Sequence, residues 1–340
     1  MEKPILAIFD SEEEYTYGLL EFFSSKSNLP FQIHVFTEKE KFFPYSQKEE
    51  IEYLLLSEHM YQREVETLNI PHIVILSESR ECLDRTLPHI YKYQSCENIY
   101  KEFLAYYSNS IGEMQHMVRS NRREMKIIGI YTPVGRSLQT TFSLSLGQLL
   151  AKQSKVLYLN FERYSGLATM LRREFQADVS DLMYYFQCAR EKLTVRLESI
   201  VEHINGLDFI PPVEIFQNLM GIQGQQWMEL FREVGKSSEY DFLLLDLSDG
   251  LADLWEILRG CSMVYTITRR DGIAMAKMEQ YEKALQFMEY NDVLMKTQKI
   301  QFPVFHEIPI RLEELTYGEL AAYIRQEILP EIRKEQQDEI

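Results

Sequence analysis

The stretch IIGIYTPVGRSLQTTFSLSLGQLLAKQSKVLYLNFERYSGL, residues 127–167, decides the fold. It continues an apolar run that starts at Met125, passes through a short loop carrying Pro133 and Gly135, and enters a helical pattern over 141–152. A second apolar run, VLYLNF (156–161), follows and gives way to polar residues. Strand, loop, helix and strand in that order make the repeating unit of a parallel sheet. Where such a strand hands over to its helix, backbone N–H groups and the helix N-terminus gather, so an anion would be held there.

Downstream, LDFIPP (207–212), YDFLLLDLS (240–248) and MVYTITR (263–269) read as further strands with helices between them, so the half spanning 125–330 is a doubly wound α/β domain. The segment from Arg269 to Pro303 shows no apolar strand followed by Asn-Arg. Upstream, ILAIF (5–9), FQIHVF (31–36), EYLLL (52–56), HIVIL (72–76) and HIYKY (89–93) read as five strands of a second, smaller parallel sheet with five helices. CENIYKEFLAYYSNS closes that domain as an amphipathic helix through Ile99, Phe103, Leu104 and Tyr107, and the boundary falls near residue 108. Residues 109–124 then form a polar linker whose basic run, Arg119, Arg122, Arg123 and Lys126, reads as solvated. Residues 331–340 form an acidic tail after Pro330, which interrupts the last helix.

Bulk composition supports two domains and narrows the partners. The chain has 340 residues, long for one core, with 45% apolar and 26% charged residues. Lys plus Arg number 36 against 52 Asp plus Glu, a net charge of −16 that opposes binding to nucleic acid or anionic lipid. The four cysteines, Cys82, Cys96, Cys188 and Cys261, show neither zinc-site nor disulfide spacing and fit a reducing cytoplasm. MEKPILAIFD has too short an apolar run for a signal segment and no stretch is long enough to span a bilayer, so a cytosolic protein is expected.

The order and spacing of residues 127–167 resemble the MinD/ParA family of P-loop ATPases. Pro133 to Thr141 falls on that family's loop, Gly-Lys-Gly-Gly-Val-Gly-Lys-Thr-Thr, with Gly135, Thr140 and Thr141 matching. Val134 stands at the signature lysine and Gln139 at the lysine that reaches the β- and γ-phosphates. Arg136 and Leu138 put side chains where the backbone should hug phosphate. Arg136 either supplies charge from a new position or is solvated. Asn160 and Glu162 occupy the positions of an Asp-x-Asp whose first acid polarises the attacking water, which an amide does not do. YDFLLLDLSDG resembles the family's Walker B strand and places Asp246 at its end, as an Mg²⁺ partner through water or as a buried strand-end cap. Thr140 is an Mg²⁺ ligand or a helix N-cap. The resemblance implies ATP and Mg²⁺ as cofactors. The altered loop implies weak or no ATP binding and little hydrolysis, with no catalytic residue intact, because losing one preorganised donor already costs ~10²–10³ in rate.

The first domain resembles the receiver domain of response regulators, a flavodoxin-like fold. On that pattern Asp10, Ser11 and Glu12 follow the first strand, Ser77 the fourth, Lys92 lies in the fifth, and the phosphoacceptor position falls on Ser57. A serine without a base does not replace the carboxylate, so a phosphorelay role is not expected. Asp10 and Glu12 read as helix N-terminal acids or as a metal pair, and Ser77 and Lys92 as isolated structural residues.

A receiver-like domain followed by an altered MinD/ParA-like domain is similar to the arrangement of TadZ/CpaE proteins. That resemblance implies a cytoplasmic homodimer that acts as a localisation scaffold for assembly of Tad (Flp, type IVc) pili and recruits pilus and secretion proteins. The competing expectations are an active ATPase switch that dimerises on ATP, and a response regulator with an unusual output domain. The C-terminal segment carries the wrong charge for lipid, so direct membrane insertion is not expected. Met183, Tyr184, Tyr185 and Phe186 are candidate contacts of a nucleotide-independent dimer.

Overall fold

The computed structural model describes residues 3–26, 31–79, 87–110 and 124–337. The chain divides into two compact units, Met1–Ile111 and Gly112–Ile340. Cys82, Arg119, Arg122, Arg123, most of the expected linker and the last three residues of the tail lie outside the described residues. Lys126, assigned to the basic linker from sequence, instead opens a strand.

The first unit holds a five-stranded parallel sheet, β1 (Ile5–Phe9), β2 (Gln32–Phe36), β3 (Ile51–Ser57), β4 (His72–Ser77) and β5 (His89–Tyr91), in the order β2-β1-β3-β4-β5. This is the flavodoxin-like doubly wound order, which places a crevice at the carboxyl ends of β1 and β3. The central strand β3 is buried at every position but Glu52, as a parallel strand covered on both faces requires. Helices α1 (Glu13–Ser24), α2 (Lys39–Ser46), α3 (Arg63–Glu66) and α4 (Cys96–Ser110) are the four α-helices among the described residues, against five expected; residues 80–86 between β4 and β5 are outside them. Ile99, Phe103, Leu104 and Tyr107 of α4 are all buried, and Phe31 meets Tyr107 edge-on with ring centroids 4.3 Å apart. The fifth strand is shorter than its sequence suggests. It ends at Tyr91, and the chain then bends, so Lys92 lies just beyond the strand with its N–H donating to Ser77 O at 2.7 Å.

The second unit is built on seven strands: β6 (Lys126–Ile130), β7 (Val156–Asn160), β8 (Glu202–Ile204), β9 (Leu207–Ile210), β10 (Phe242–Asp246), β11 (Met263–Thr268) and β12 (Thr297–Gln301), ordered β12-β11-β6-β10-β7-β9-β8. All pairs are parallel except β8 with β9. That exception is a hairpin turned by Asn205 and Gly206, whose φ values of 48° and 85° are both positive, as its two-residue turn requires. The strand β12 lies in the 269–303 segment, but it is polar and is not followed by Asn-Arg. It pairs with β11 alone and buries only Ile300, so an edge strand of polar composition is sufficient there.

Helix α5 (Gln139–Leu150) starts two residues earlier than expected and is buried along nearly its whole length. Its polar side chains are satisfied internally, Ser145 Oγ donating to Leu315 O at 2.7 Å and Gln148 Nε2 to Leu312 O at 2.8 Å. Along the chain follow α6 (Leu167–Leu171), α7 (Val179–Cys188), α8 (Leu193–Ile200), α9 (Gly224–Ser237), α10 (Leu254–Gly260), α11 (Gly272–Phe287), α12 (Asn291–Met295), α13 (Gly318–Tyr323) and α14 (Leu329–Gln337). Two cores result. Trp227 and Phe231 of α9, with Leu182 and Phe186 of α7, belong to one; Phe142 and Leu146 of α5, with Ile324 and Ile328, belong to the other.

Pro330 does not end the last helix. A π-helical turn, Ile324–Ile328, joins α13 to α14 and opens the backbone where the proline ring would otherwise crowd the preceding turn. No helix among the described residues is long and apolar enough to cross a membrane.

From β6 the chain crosses to β7, leaving room for β10 between them, and from β10 it jumps to β11 on the far side of β6. The direction of winding therefore reverses at β6 and β10, and the crevice outside their carboxyl ends is where a doubly wound sheet places a ligand.

Candidate functional site

Between Ile130 and Gln139 the backbone turns sharply into α5, and two residues of that loop hold left-handed conformations: Arg136 at φ 57° and Leu138, the N-cap, at φ 65°. Both are positions that favour glycine, and each non-glycine residue there costs roughly 1–2 kcal/mol. Gly135, the loop's one glycine, has no positive φ, and a Cβ on it would meet nothing within 4 Å. The loop thus makes its turn without glycine at the two positions that favour it. Because Leu138 is 36% exposed, Leu138→Gly removes strain and little buried apolar surface. Set against the entropy glycine adds to the unfolded chain, a net gain of about 0.5–1 kcal/mol is expected in urea unfolding; a loss would contradict the assignment of strain.

The site-forming side chains converge because β7 and β10 are in register, Asp246 beside Asn160 and Leu244 beside Tyr158. Tyr158 and Asn160, two residues apart, share a face of β7. Tyr158 donates its hydroxyl to Asp246 Oδ2 at 2.9 Å, and Asn160 Nδ2 lies 2.8 Å from that hydroxyl and 3.2 Å from the same carboxylate oxygen. From the first residue of α5, Gln139 Nε2 donates to Asp246 Oδ1 at 2.6 Å and to Leu247 O at 2.9 Å, and stands 3.5 Å from Glu162 Oε1. Thr140 also lies close enough to Asp246 to lower its carboxyl. Of the residues singled out in the sequence, the structure brings together Gln139, Thr140, Asn160, Glu162 and Asp246. Gly135 and Arg136 are exposed on the loop, and Thr141 is half-buried on the first turn of α5. Thr140 is not the helix cap, since Leu138 is, and Asp246 is fully buried beneath the loop.

Burial raises the Asp246 carboxyl to about 6, against the lowering effect of its donors Gln139, Thr140 and Tyr158. Burial, then the charges of Asp246 and Asp249, raise Glu162 to about 7. The Tyr158 hydroxyl is held well above its ordinary range by burial and by Asp246. Asp249, in the loop after β10, accepts from the Tyr131 hydroxyl at the end of β6. Neutral donors therefore meet a buried carboxylate, with two further acids nearby.

ATP with Mg²⁺ does not fit this arrangement. Both Asp246 oxygens accept hydrogen bonds, and the Gln139 amide is directed into the carboxylate. Between Pro133 and Thr141 the single cation is Arg136. A polyphosphate would meet Glu162, Asp246 and Asp249 with little positive charge to offset them. Among the described residues no group of three or more His, Cys, Asp or Glu is placed to hold a metal ion.

A second polar cluster lies at the carboxyl edge of the first unit. Lys92 is wholly buried, with Nζ 2.6 Å from Asp10 Oδ2 and 2.7 Å from Glu12 Oε1. Burial lowers the lysine's affinity for its proton, but the bonds to Asp10 and Glu12 outweigh it and hold the ammonium above its ordinary value. Lys92 is thus not an isolated strand-end residue, and Asp10 and Glu12 are ion-paired to it. Ser57, at the expected acceptor position, is buried with its hydroxyl unpartnered, whereas Ser77 Oγ donates to Glu58 Oε2 at 2.9 Å.

Tyr158, Asp249 and Tyr131 were missed in the sequence. For Tyr158 the signal is its two-residue offset from Asn160 on one strand; for Asp249 and Tyr131 the pairing joins two loops and has no local signature.

No family model matches the chain, and no curated protein does. Among solved structures, the chain is similar to the MinC:MinD cell division protein complex of Aquifex aeolicus, at 17% identity and a TM-score of 0.40, covering 53% of this chain and 69% of that one. A ParA family ATPase from Chlorobium tepidum TLS gives 17% and 0.42, over 52% and 73% of the two chains. Cobyrinic acid a,c-diamide synthase from Mycobacterium smegmatis, with a bound ATP analog and magnesium, gives 11% and 0.41, over 60% and 84%. The fold stands on the strand order and register above, not on these likenesses.

Proposed function

We propose that the protein is a localisation scaffold of the TadZ/CpaE type for Tad pilus assembly, working as a homodimer that neither requires nor hydrolyses ATP. The observation that supports this most is Gln139: at the position of the phosphate lysine stands a neutral amide whose donors are spent on Asp246 and Leu247. The first unit supports it too, since Ser57 stands where a receiver would carry its carboxylate and Lys92 is committed to Asp10 and Glu12. Of the contacts suggested for a dimer, Met183 and Phe186 belong to the core, leaving Tyr184, 60% exposed, and the half-buried Tyr185. The ATPase-switch reading draws on one observation, the closeness of Thr140 to Asp246, whose carboxyl it lowers.

Two outcomes separate the readings. Sedimentation equilibrium is expected to give the same self-association with and without ATP·Mg²⁺, and the pilus secretion ATPase is expected to copurify with the tagged protein from lysate depleted of ATP. A monomer that dimerises only with ATP would restore the switch.

A further inference from the structure

The second unit contains a cavity of about 620 Å³ between the loops after β6 and β10 and helices α10 and α11. Its size suits a small ligand or a side chain. Four of its lining residues are aromatic, Tyr131, Trp255, Tyr281 and Tyr290, and two are acidic, Asp249 and Asp253, with Lys277 as the one basic group lining it. Tyr131 and Tyr281 stand with ring centroids 5.4 Å apart. Tyr281 is 93% buried by its 7% exposure, and its hydroxyl is buried without a hydrogen-bond partner. A polar atom so placed costs stability unless something in the cavity satisfies it.

We propose that this cavity binds a guanidinium or ammonium group, carried either by a small organic cation or by an arginine side chain of a peptide. Ring faces present negative potential to a cation, and the two carboxylates outnumber the lysine. A guanidinium offers planar stacking together with several N–H donors, which suits a carboxylate and the unpartnered Tyr281 oxygen in the same cavity. The wall already accommodates this chemistry within the chain: the Arg259 guanidinium lies 4.0 Å from the ring centroid of Tyr290, another lining residue. Asp249 also raises Glu162, so the cavity is electrostatically continuous with the altered phosphate loop. A cation bound beside Asp249 would weaken that influence.

The test is a titration of the full chain with L-argininamide, with citrullinamide as the neutral isostere, and with an end-capped Gly-Arg-Gly peptide. Trp255 fluorescence reports binding, while Trp227, fully buried against Phe161 and Phe231, serves as a constant background. Argininamide or the peptide is expected to bind saturably and citrullinamide at least about tenfold more weakly. Asp249→Asn, which preserves shape, is expected to weaken binding about tenfold, and Tyr281→Phe, which keeps the ring, by several-fold. Preference for the peptide assigns the cation to a partner protein, and equal affinities assign it to a free small molecule. Equal binding of citrullinamide, unchanged affinity in both variants, or no saturation by either cationic probe up to about 20 mM would overturn the proposal.

Discussion

Lys92→Ala is expected to destabilise the first unit by about 3–5 kcal/mol, because it strands a buried carboxylate. The Asp10 side chain is 1% exposed and that of Lys92 is 0% exposed, whereas Glu12 is 53% exposed and can turn to water. The cost therefore falls on Asp10. If it arises from an uncompensated charge and not from lost packing, Lys92→Met combined with Asp10→Asn should recover most of the loss, since a neutral pair of similar volume has no charge to desolvate. Both tryptophans, Trp227 and Trp255, belong to the second unit, so fluorescence does not report this event. Amide hydrogen exchange on β1 and β3 does. A loss below about 1 kcal/mol would show that the pair is solvated in solution.

In the second unit the expected effect is of pH, and its sign is unusual for a carboxylate. Asp246 ionises at about 6 in the folded protein against 3.8 as its ordinary value. Between those limits the folded state binds more protons than the unfolded state, so stability is greatest below the lower value and falls as pH rises through the window. Glu162, moved from 4.5 to about 7, acts in the same direction. From pH 4 to pH 8 the Asp246 contribution is a loss on the order of 2–3 kcal/mol. Urea unfolding followed by tryptophan fluorescence should show that loss in the native chain and a flatter profile in Asp246→Asn, which retains only a diminished Glu162 component because the Asp246 charge helps raise it. A profile that rises with pH, or one unaltered by the substitution, would contradict the buried, raised carboxyl.

Much of the fold was legible because parallel strands covered on both faces are continuous apolar runs: LLL in β3 and FLLL in β10 announce themselves. The elements that escaped are edges. TQKIQ in β12 buries one residue and carries no apolar signal, whereas β8 had a readable marker in Asn205-Gly206 that went unused. Pro330 misled because the penalty for proline within a helix assumes regular α geometry, and the π turn before it removes the clash.

At the site, the motifs in the sequence singled out Gln139 and Asp246, one at a helix start and one at a strand end. It did not disclose that they bond to each other, since that contact spans 107 residues and depends on where β10 is inserted. Lys92 shows the same limit. Its neighbours in sequence reveal nothing of Asp10, from which it stands 82 residues away by number but 2.6 Å by bond.

The central claim is that Gln139 and Asp246 close the loop before α5 on itself, and isothermal titration of the protein with ATP·Mg²⁺ tests it most directly. The account predicts no saturable heat at millimolar nucleotide; stoichiometric binding with a micromolar dissociation constant would contradict it.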